Sequence, residues 1–152
     1  HERGNPPDTA GQEDLCDHAR GTQMRPQAAK SVSDSRDRIV ILESPFASPT
    51  EQGLAENLSY ARACLRDCLI RGESPFASHL LYTQPGVLDD DVPDEREVGI
   101  GAGLVFQAVA DLVAVYTDRG ISQGMNRAIQ RAHNHGIPVE YRSLDIPTQV
   151  EP

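Results

Sequence analysis

Residues 110–139 read ADLVAVYTDRGISQGMNRAIQRAHNHGIPV, and this stretch decides the fold class. Ala110 to Tyr116 (ADLVAVY) is an aliphatic run of strand length, the pattern of a strand buried on both faces. It runs into Thr117, Asp118, Arg119, Gly120, Ile121, Ser122, Gln123 and Gly124, a Gly-containing loop that opens a helix extending to about His135. Gly136 ends that helix, and Ile137 to Tyr141 form a further strand. A buried strand, a loop, a helix and a second strand make one unit of a parallel sheet.

Working outward, Ile39, Val40, Ile41 and Leu42 form a second continuous apolar strand. It ends in Glu43, Ser44, Pro45, Phe46, Ala47, Ser48, Pro49 and Thr50. Thr50 with Glu51 starts a helix. From Glu51 to Arg71 the residues Leu54, Leu58, Ala61, Leu65 and Cys68 recur at 4-3-4-3 spacing, one face of a helix, and Gly72 supplies its stop. A short strand is expected around Pro75 to Ser78, followed by an irregular or helical turn. Gln84, Pro85, Gly86 and Asp89 to Asp91 are loop chemistry. After Pro93 the run Asp94 to Gln107 reads as a helix with Val98, Ala102, Val105 and Phe106 inward, against the local tendency of Gly99, Gly101 and Gly103. The expected architecture is α/β: a small doubly wound, mostly parallel sheet of Rossmann or flavodoxin type, with helices on both faces. Residues 36–145 form this domain. Residues 1–35 are a polar tail or extended arm, flexible or packed on a neighbouring subunit through Leu15, Cys16 and Met24, and 146–152 are a C-terminal tail.

The 152 residues carry 14 Lys and Arg against 23 Asp and Glu, a formal charge of −9. Such a balance argues against a nucleic-acid polymer as partner, because affinity for polyphosphate rests on Lys and Arg displacing counterions. A single nucleotide remains compatible, since backbone N–H groups at a helix N-terminus hold one or two phosphates. Cys16, Cys64 and Cys68 are odd in number, and the last two sit four apart in a helix, which fits packing in a reducing, cytoplasmic setting better than a disulfide. Neither a metal nor a cofactor is expected, and no apolar run is long enough to cross a membrane. The chain begins at His1 rather than Met, which reads as trimmed or processed.

In an open parallel sheet, ligands bind beyond the carboxyl ends of the strands where neighbouring connections diverge. The loops after Leu42 and Tyr116 are expected to open there side by side. The 110–139 stretch resembles the last βαβ unit of nucleoside 2-deoxyribosyltransferase-like proteins, which include nucleotide N-glycosidases. ILESPFA (41–47) is similar to that family's opening loop. SPFASHLLYTQPGVLDDDVPDEREVGIGAG (74–103) is similar to uncharacterised phage and bacterial members. The resemblance spans about Arg38 to Arg142, and its most specific element is Gly120, Ser122, Gly124 and Met125.

That resemblance implies a small-molecule nucleotide or nucleoside as ligand, cleavage or transfer at the N-glycosidic bond, and a homo-oligomer. Such chemistry passes through a cationic sugar, so it needs a carboxylate beside the ring and a proton for the leaving base. The family places a Glu directly after the Gly-Met pair; here that position is Asn126, whose amide cannot serve. Glu43, Glu73, Asp118 and Glu95 are the candidate replacements, of which Glu43, Glu95 and Asp118 lead. The implied ligand-binding set is Ser44, Pro45, Phe46, His79, Tyr116, Asp118, Gly120, Ser122, Gly124, Met125 and Asn126.

Each candidate has a structural alternative. Glu95 equally caps a helix dipole or pairs with Arg96. Glu43 follows a buried strand and needs either a partner or a site. Asp118 fits a turn, and Glu73 reads as solvated. His79 fits a hydrogen-bonded core residue, and Tyr60 and Tyr82 fit packing. His133 and His135 suit a helix end, and Asp89 to Asp91 a solvated loop. Three functions follow: a glycosidic-bond enzyme, a catalytically inactive nucleotide-binding module that senses or sequesters, and an interaction scaffold.

Overall fold

The computed structural model describes residues 38–144; the polar arm and the C-terminal tail expected from sequence lie outside them. Four strands form one wholly parallel sheet: β1 (Ile39–Glu43), β2 (Ser74–Phe76), β3 (Leu112–Tyr116) and β4 (Val139–Arg142), in the order β2-β1-β3-β4. Val40 stands opposite Leu112, Glu43 opposite Val115 and Val113 opposite Val139. The helices are α1 (Glu51–Ile70), the single turn α2 (Ser78–Leu81), α3 (Pro93–Phe106) and α4 (Gln123–Asn134), and a 3₁₀ turn (Gln107–Val109) leads into β3.

Alternation along β1 and β3 divides the core into two layers, because successive strand side chains point to opposite faces. Val40, Leu42, Leu112, Ala114 and Tyr116 pack with Tyr60, Cys64 and Cys68 of α1. Ile41, Val113 and Val115 pack with Met125, Ile129 and Ala132 of α4. Each buried Val, Leu or Ile contributes about 1.5–3 kcal/mol. A helix cap contributes about 1 kcal/mol, so the two layers dominate the stability. The caps set helix starts: Thr50 Oγ1 accepts from Gly53 N–H at 3.1 Å, and Ser122 Oγ from Met125 N–H at 3.3 Å. Gly72, at φ +80°, turns the chain out of α1 in the left-handed region that glycine adopts without strain.

Three expectations need correcting. On α1 the fully buried residues are Asn57, Tyr60, Ala61, Cys64 and Cys68, whereas Leu54, Leu58 and Leu65 are half-buried. The helix is rotated because Asn57 and Tyr60 find hydrogen-bond partners inside. On α3, Val98, Val105 and Phe106 are exposed, and Gly103 is the buried residue. A Cβ on Gly103 would lie 2.5 Å from Ser78 Oγ and 2.7 Å from Ser78 Cβ, so α3 presents its glycine side to α2 and leaves Val98, Val105 and Phe106 outside. Glu73 is buried rather than solvated. Its carboxylate accepts two hydrogen bonds from Arg142, at 2.7 and 2.8 Å, tying the chain entering edge strand β2 to the end of edge strand β4. Arg142 Nε also donates to Glu140 at 2.9 Å.

Candidate functional site

From β1 the chain crosses to one side, through α1, to reach β2, and then returns past β1 to β3 on its other side. The carboxyl ends of β1 and β3 therefore lie at a switch point, where connections diverge and leave a crevice. A cavity of about 120 Å³ occupies it. Glu43, Ser44, Phe46 and Ala47 supply one wall, Ser78 and His79 of α2 a second, and Ser122, Gly124, Met125 and Ala128 at the start of α4 a third. One side of α3, from Glu95 to Leu104, closes it over. Phe46, Ala47, Thr83, Leu88, Asp90, Glu95 and Arg96 also line a wider neighbouring hollow of about 530 Å³, which reaches Leu54 and Pro85 to Asp91. The inner cavity is below the roughly 300–1,000 Å³ that encloses a whole small ligand, and the outer hollow lies within that range.

The polar groups of the inner cavity differ in how far they are committed. His79 Nε2 and Ser44 Oγ are hydrogen-bonded at 2.8 Å, and burial pulls the imidazole down to about 4, so the ring is neutral at pH 7. Phe46 meets the His79 ring edge-on at 6.3 Å between centroids. Asp90 is paired with Arg96, and burial raises its carboxyl despite that partner. Glu95 Oε2 accepts from Asp89 N–H at 2.6 Å. It sits in the first turn of α3, where the helix dipole favours an anion. Glu43 stands apart: among the described residues its carboxyl has no hydrogen-bond partner, and its residual accessible surface faces the cavity. Burial pushes it up to about 8, so it carries its proton at neutral pH.

A separate network holds the loops in place. The Asn57 amide donates to the carbonyls of Phe46 at 2.9 Å and Ala47 at 3.3 Å, and its Oδ1 accepts from Arg119 Nε at 2.9 Å. Arg119 also pairs with Glu56 at 3.1 Å. The β1 loop is thereby fastened to α1 and to the loop after β3.

Of the residues singled out in the sequence, Glu43, Ser44, Phe46, His79, Glu95, Ser122, Gly124 and Met125 come together around the cavity. Pro45, Tyr116, Asp118, Gly120 and Asn126 do not line it. Tyr116 is fully buried under α1, where its hydroxyl donates to Asp67 at 2.7 Å and lies 3.2 Å from Cys68 Sγ. The Asp118 carboxylate accepts from Tyr60 OH at 2.5 Å, Ser143 Oγ at 2.5 Å and Leu144 N–H at 3.1 Å, an anchor for the chain leaving β4. These partners hold it below the usual carboxylate range. Asn126 projects from the exposed side of α4, while Met125 and Ala128 face inward. Position 126 therefore contributes nothing to the cavity wall. Arg96 pairs with Asp90 rather than with Glu95.

Sequence reasoning missed Thr83, Leu88, Asp90, Arg96 and Ile100, which reach the cavity from α3 and from the segment joining it to α2. The signal available was the pair Gly99 and Gly103, four apart, which mark a helix face built for close approach. Among the described residues no group of three His, Cys, Asp or Glu side chains is placed to hold a metal, and no helix is long and apolar enough to cross a membrane.

The family described as domain of unknown function DUF7768 matches residues 38–142. A tRNA dimethylallyltransferase from Rhodopirellula baltica is 33% identical over 141 residues, an alignment covering 80% of this chain and 41% of that protein. The chain thus spans about two fifths of that relative's length. Among solved structures, a 2-deoxyribosyltransferase from the psychrotolerant bacterium Bacillus psychrosaccharolyticus is similar, with a TM-score of 0.49 and 22% identity, over 75% of this chain and 76% of that one.

Proposed function

The chain belongs to the DUF7768 family, and on the geometry of the two hollows within the matched span we propose that it binds a nucleoside and breaks or exchanges its N-glycosidic bond. The supporting observation is the arrangement of two carboxyl groups along one cleft. Glu43, uncharged at neutral pH, lies in the inner cavity, and Glu95 stands on the wall that both hollows share. A ring-sized base fits the inner cavity, and the sugar then occupies the shared wall and the outer hollow.

In that pose the bond between the anomeric carbon and the base nitrogen breaks, and its electron pair leaves with the base. Glu43 passes its carboxyl proton to the base, and the Glu95 carboxylate faces the cationic sugar. Water, or a second base in the transfer reaction, then adds to the anomeric carbon. A hydrolytic turnover converts nucleoside and water into free base and sugar, and Glu43 recovers its proton from solvent. Arg96, the cation on this wall, is occupied by Asp90, so the lining supports an uncharged nucleoside better than its phosphate ester.

Chromatographic detection of free base from a nucleoside and nucleotide panel tests the reading. Base release is expected, with a loss on the order of 10²-fold or more in both Glu95→Gln and Glu43→Gln. Absence of free base from every substrate at high protein concentration refutes the enzymatic reading. A ligand-dependent rise in melting temperature without turnover identifies a binding module instead. Self-association is part of this proposal and is tested by mass measurement.

A further inference from the structure

Glu43 is the one carboxyl on the inner cavity wall, among the described residues, without a hydrogen-bond partner; Asp90 is held by Arg96 and Glu95 by the backbone of Asp89. Around it the wall is largely apolar, with Phe46, Met125, Ala128, Ile100 and Leu104. The nearby polar side chains Ser44 and His79 bond to each other through His79 Nε2. A base entering this space meets the two oxygens of the unpartnered Glu43 carboxyl, and that fork must match the edge the base presents.

We propose that Glu43 makes this cavity selective for 6-aminopurine over 6-oxopurine nucleosides. The inference rests on the nucleoside reading above and deepens it by naming the base. A purine leaves most readily when its N7 is protonated, so the edge turned to the donor carries N7 and the substituent at C6. Adenine presents there an acceptor beside an amino donor, whereas guanine and hypoxanthine present two acceptors. A carboxylic acid has one O–H donor and one acceptor oxygen. Its O–H donates to N7 in either case. Its carbonyl oxygen then accepts from the amino group of adenine, or faces the O6 acceptor of an oxopurine and is left desolvated without a partner. The carboxyl serves this role because burial keeps its proton in place at neutral pH.

Calorimetric titration of the full chain at pH 7 with 2′-deoxyadenosine and 2′-deoxyinosine, which differ in the C6 substituent and in the proton at N1 and share N7, tests the proposal. Wild type is expected to bind the amino compound at least about fivefold tighter, the lower end of discrimination by a two-point base contact. Glu43→Gln retains the preference, because an amide also offers one donor and one acceptor and pairs with N6 and N7 of adenine. Glu43→Leu abolishes it. Should Glu43→Leu not fold, 7-deaza-2′-deoxyadenosine makes the same test from the ligand side: lacking N7, it is expected to bind no better than deoxyinosine. Equal affinities, tighter deoxyinosine binding, or full affinity for the deaza compound overturns the inference. Binding of pyrimidine nucleosides alone also overturns it while leaving the nucleoside reading standing. Silence across purine and pyrimidine nucleosides refutes that reading and this inference with it.

Discussion

Replacing Glu43 by Gln is expected to stabilise the protein while impairing its chemistry, and the size of the gain follows from the site. The carboxyl has an ordinary value of 4.5 and is pushed up to about 8 by burial. Folding therefore favours the protonated form: the stability is intact below pH 4.5 and is lost progressively as pH rises through about 8. Each pH unit between the two values costs about 1.4 kcal/mol. From 4.5 to pH 7 the cost reaches on the order of 3 kcal/mol, and water entering the cavity reduces it to between about 1.5 and 3 kcal/mol. Gln keeps the shape and is uncharged throughout. The other charged and titratable groups on the cavity wall do not reverse this sign. Asp90 and Arg96 pair with each other, His79 is neutral, and Glu95 is bonded to the Asp89 backbone. Urea unfolding of wild type and Glu43→Gln at pH 5, 7 and 8.5 is the assay. The variant is expected to be nearly equal at pH 5 and more stable by the stated amount at pH 7, with the largest gap at pH 8.5. A difference that does not change with pH, or a variant less stable at pH 7, refutes the reasoning that Glu43 is a desolvated, unpartnered acid.

Further outcomes are expected elsewhere in the molecule. Glu73→Ala removes the two-point partner of the buried Arg142 guanidinium, leaving it the half-exposed Glu140, and is expected to cost up to about 3–5 kcal/mol in chemical denaturation. Arg142 holds the Glu73 carboxyl below its ordinary 4.5, so wild type loses this contribution as pH falls below that value while the variant loses less. Gly103→Ala drives a methyl into Ser78 and is expected to lower stability by about 1–3 kcal/mol, readable as a fall in melting temperature; an unchanged Tm excludes the close approach of α3 to α2. Asn57→Ala frees the carbonyls of Phe46 and Ala47 and is expected to weaken nucleoside binding more than it weakens the fold, measured by titration beside a melt. Asp118→Asn is expected to lower stability by about 1–3 kcal/mol and leave base release per folded molecule unchanged, since this carboxylate is turned to Tyr60, Ser143 and Leu144.

The apolar runs at 39–42 and 110–116, the glycines after α1 and α4, and the Thr50 and Ser122 caps were enough to read a parallel α/β sheet. These signals are local: burial on both faces requires a continuous apolar strand, and a helix end requires its cap or its glycine. That the β1 loop and the start of α4 border one crevice was legible for a topological reason, since parallel strands bring their carboxyl ends to one edge, although Asp118 and Gly120 do not line it. Helix orientation was not legible in the same way. Periodicity turned Leu54, Leu58, Val98 and Val105 inward, and the fold instead buries Asn57, Tyr60 and Gly103, because their neighbours offer hydrogen bonds or a close approach that no residue count records.

Chain order alone thus determined the fold class and which strand ends face a common crevice. Tertiary packing decided which acids share the crevice: Glu43 and Glu95 on its walls, Asp118 committed to the β4 exit, Glu73 buried with Arg142. The physical reason is that a carboxyl group's state and role depend on the partners and the water it loses on burial, and those come from segments distant in sequence.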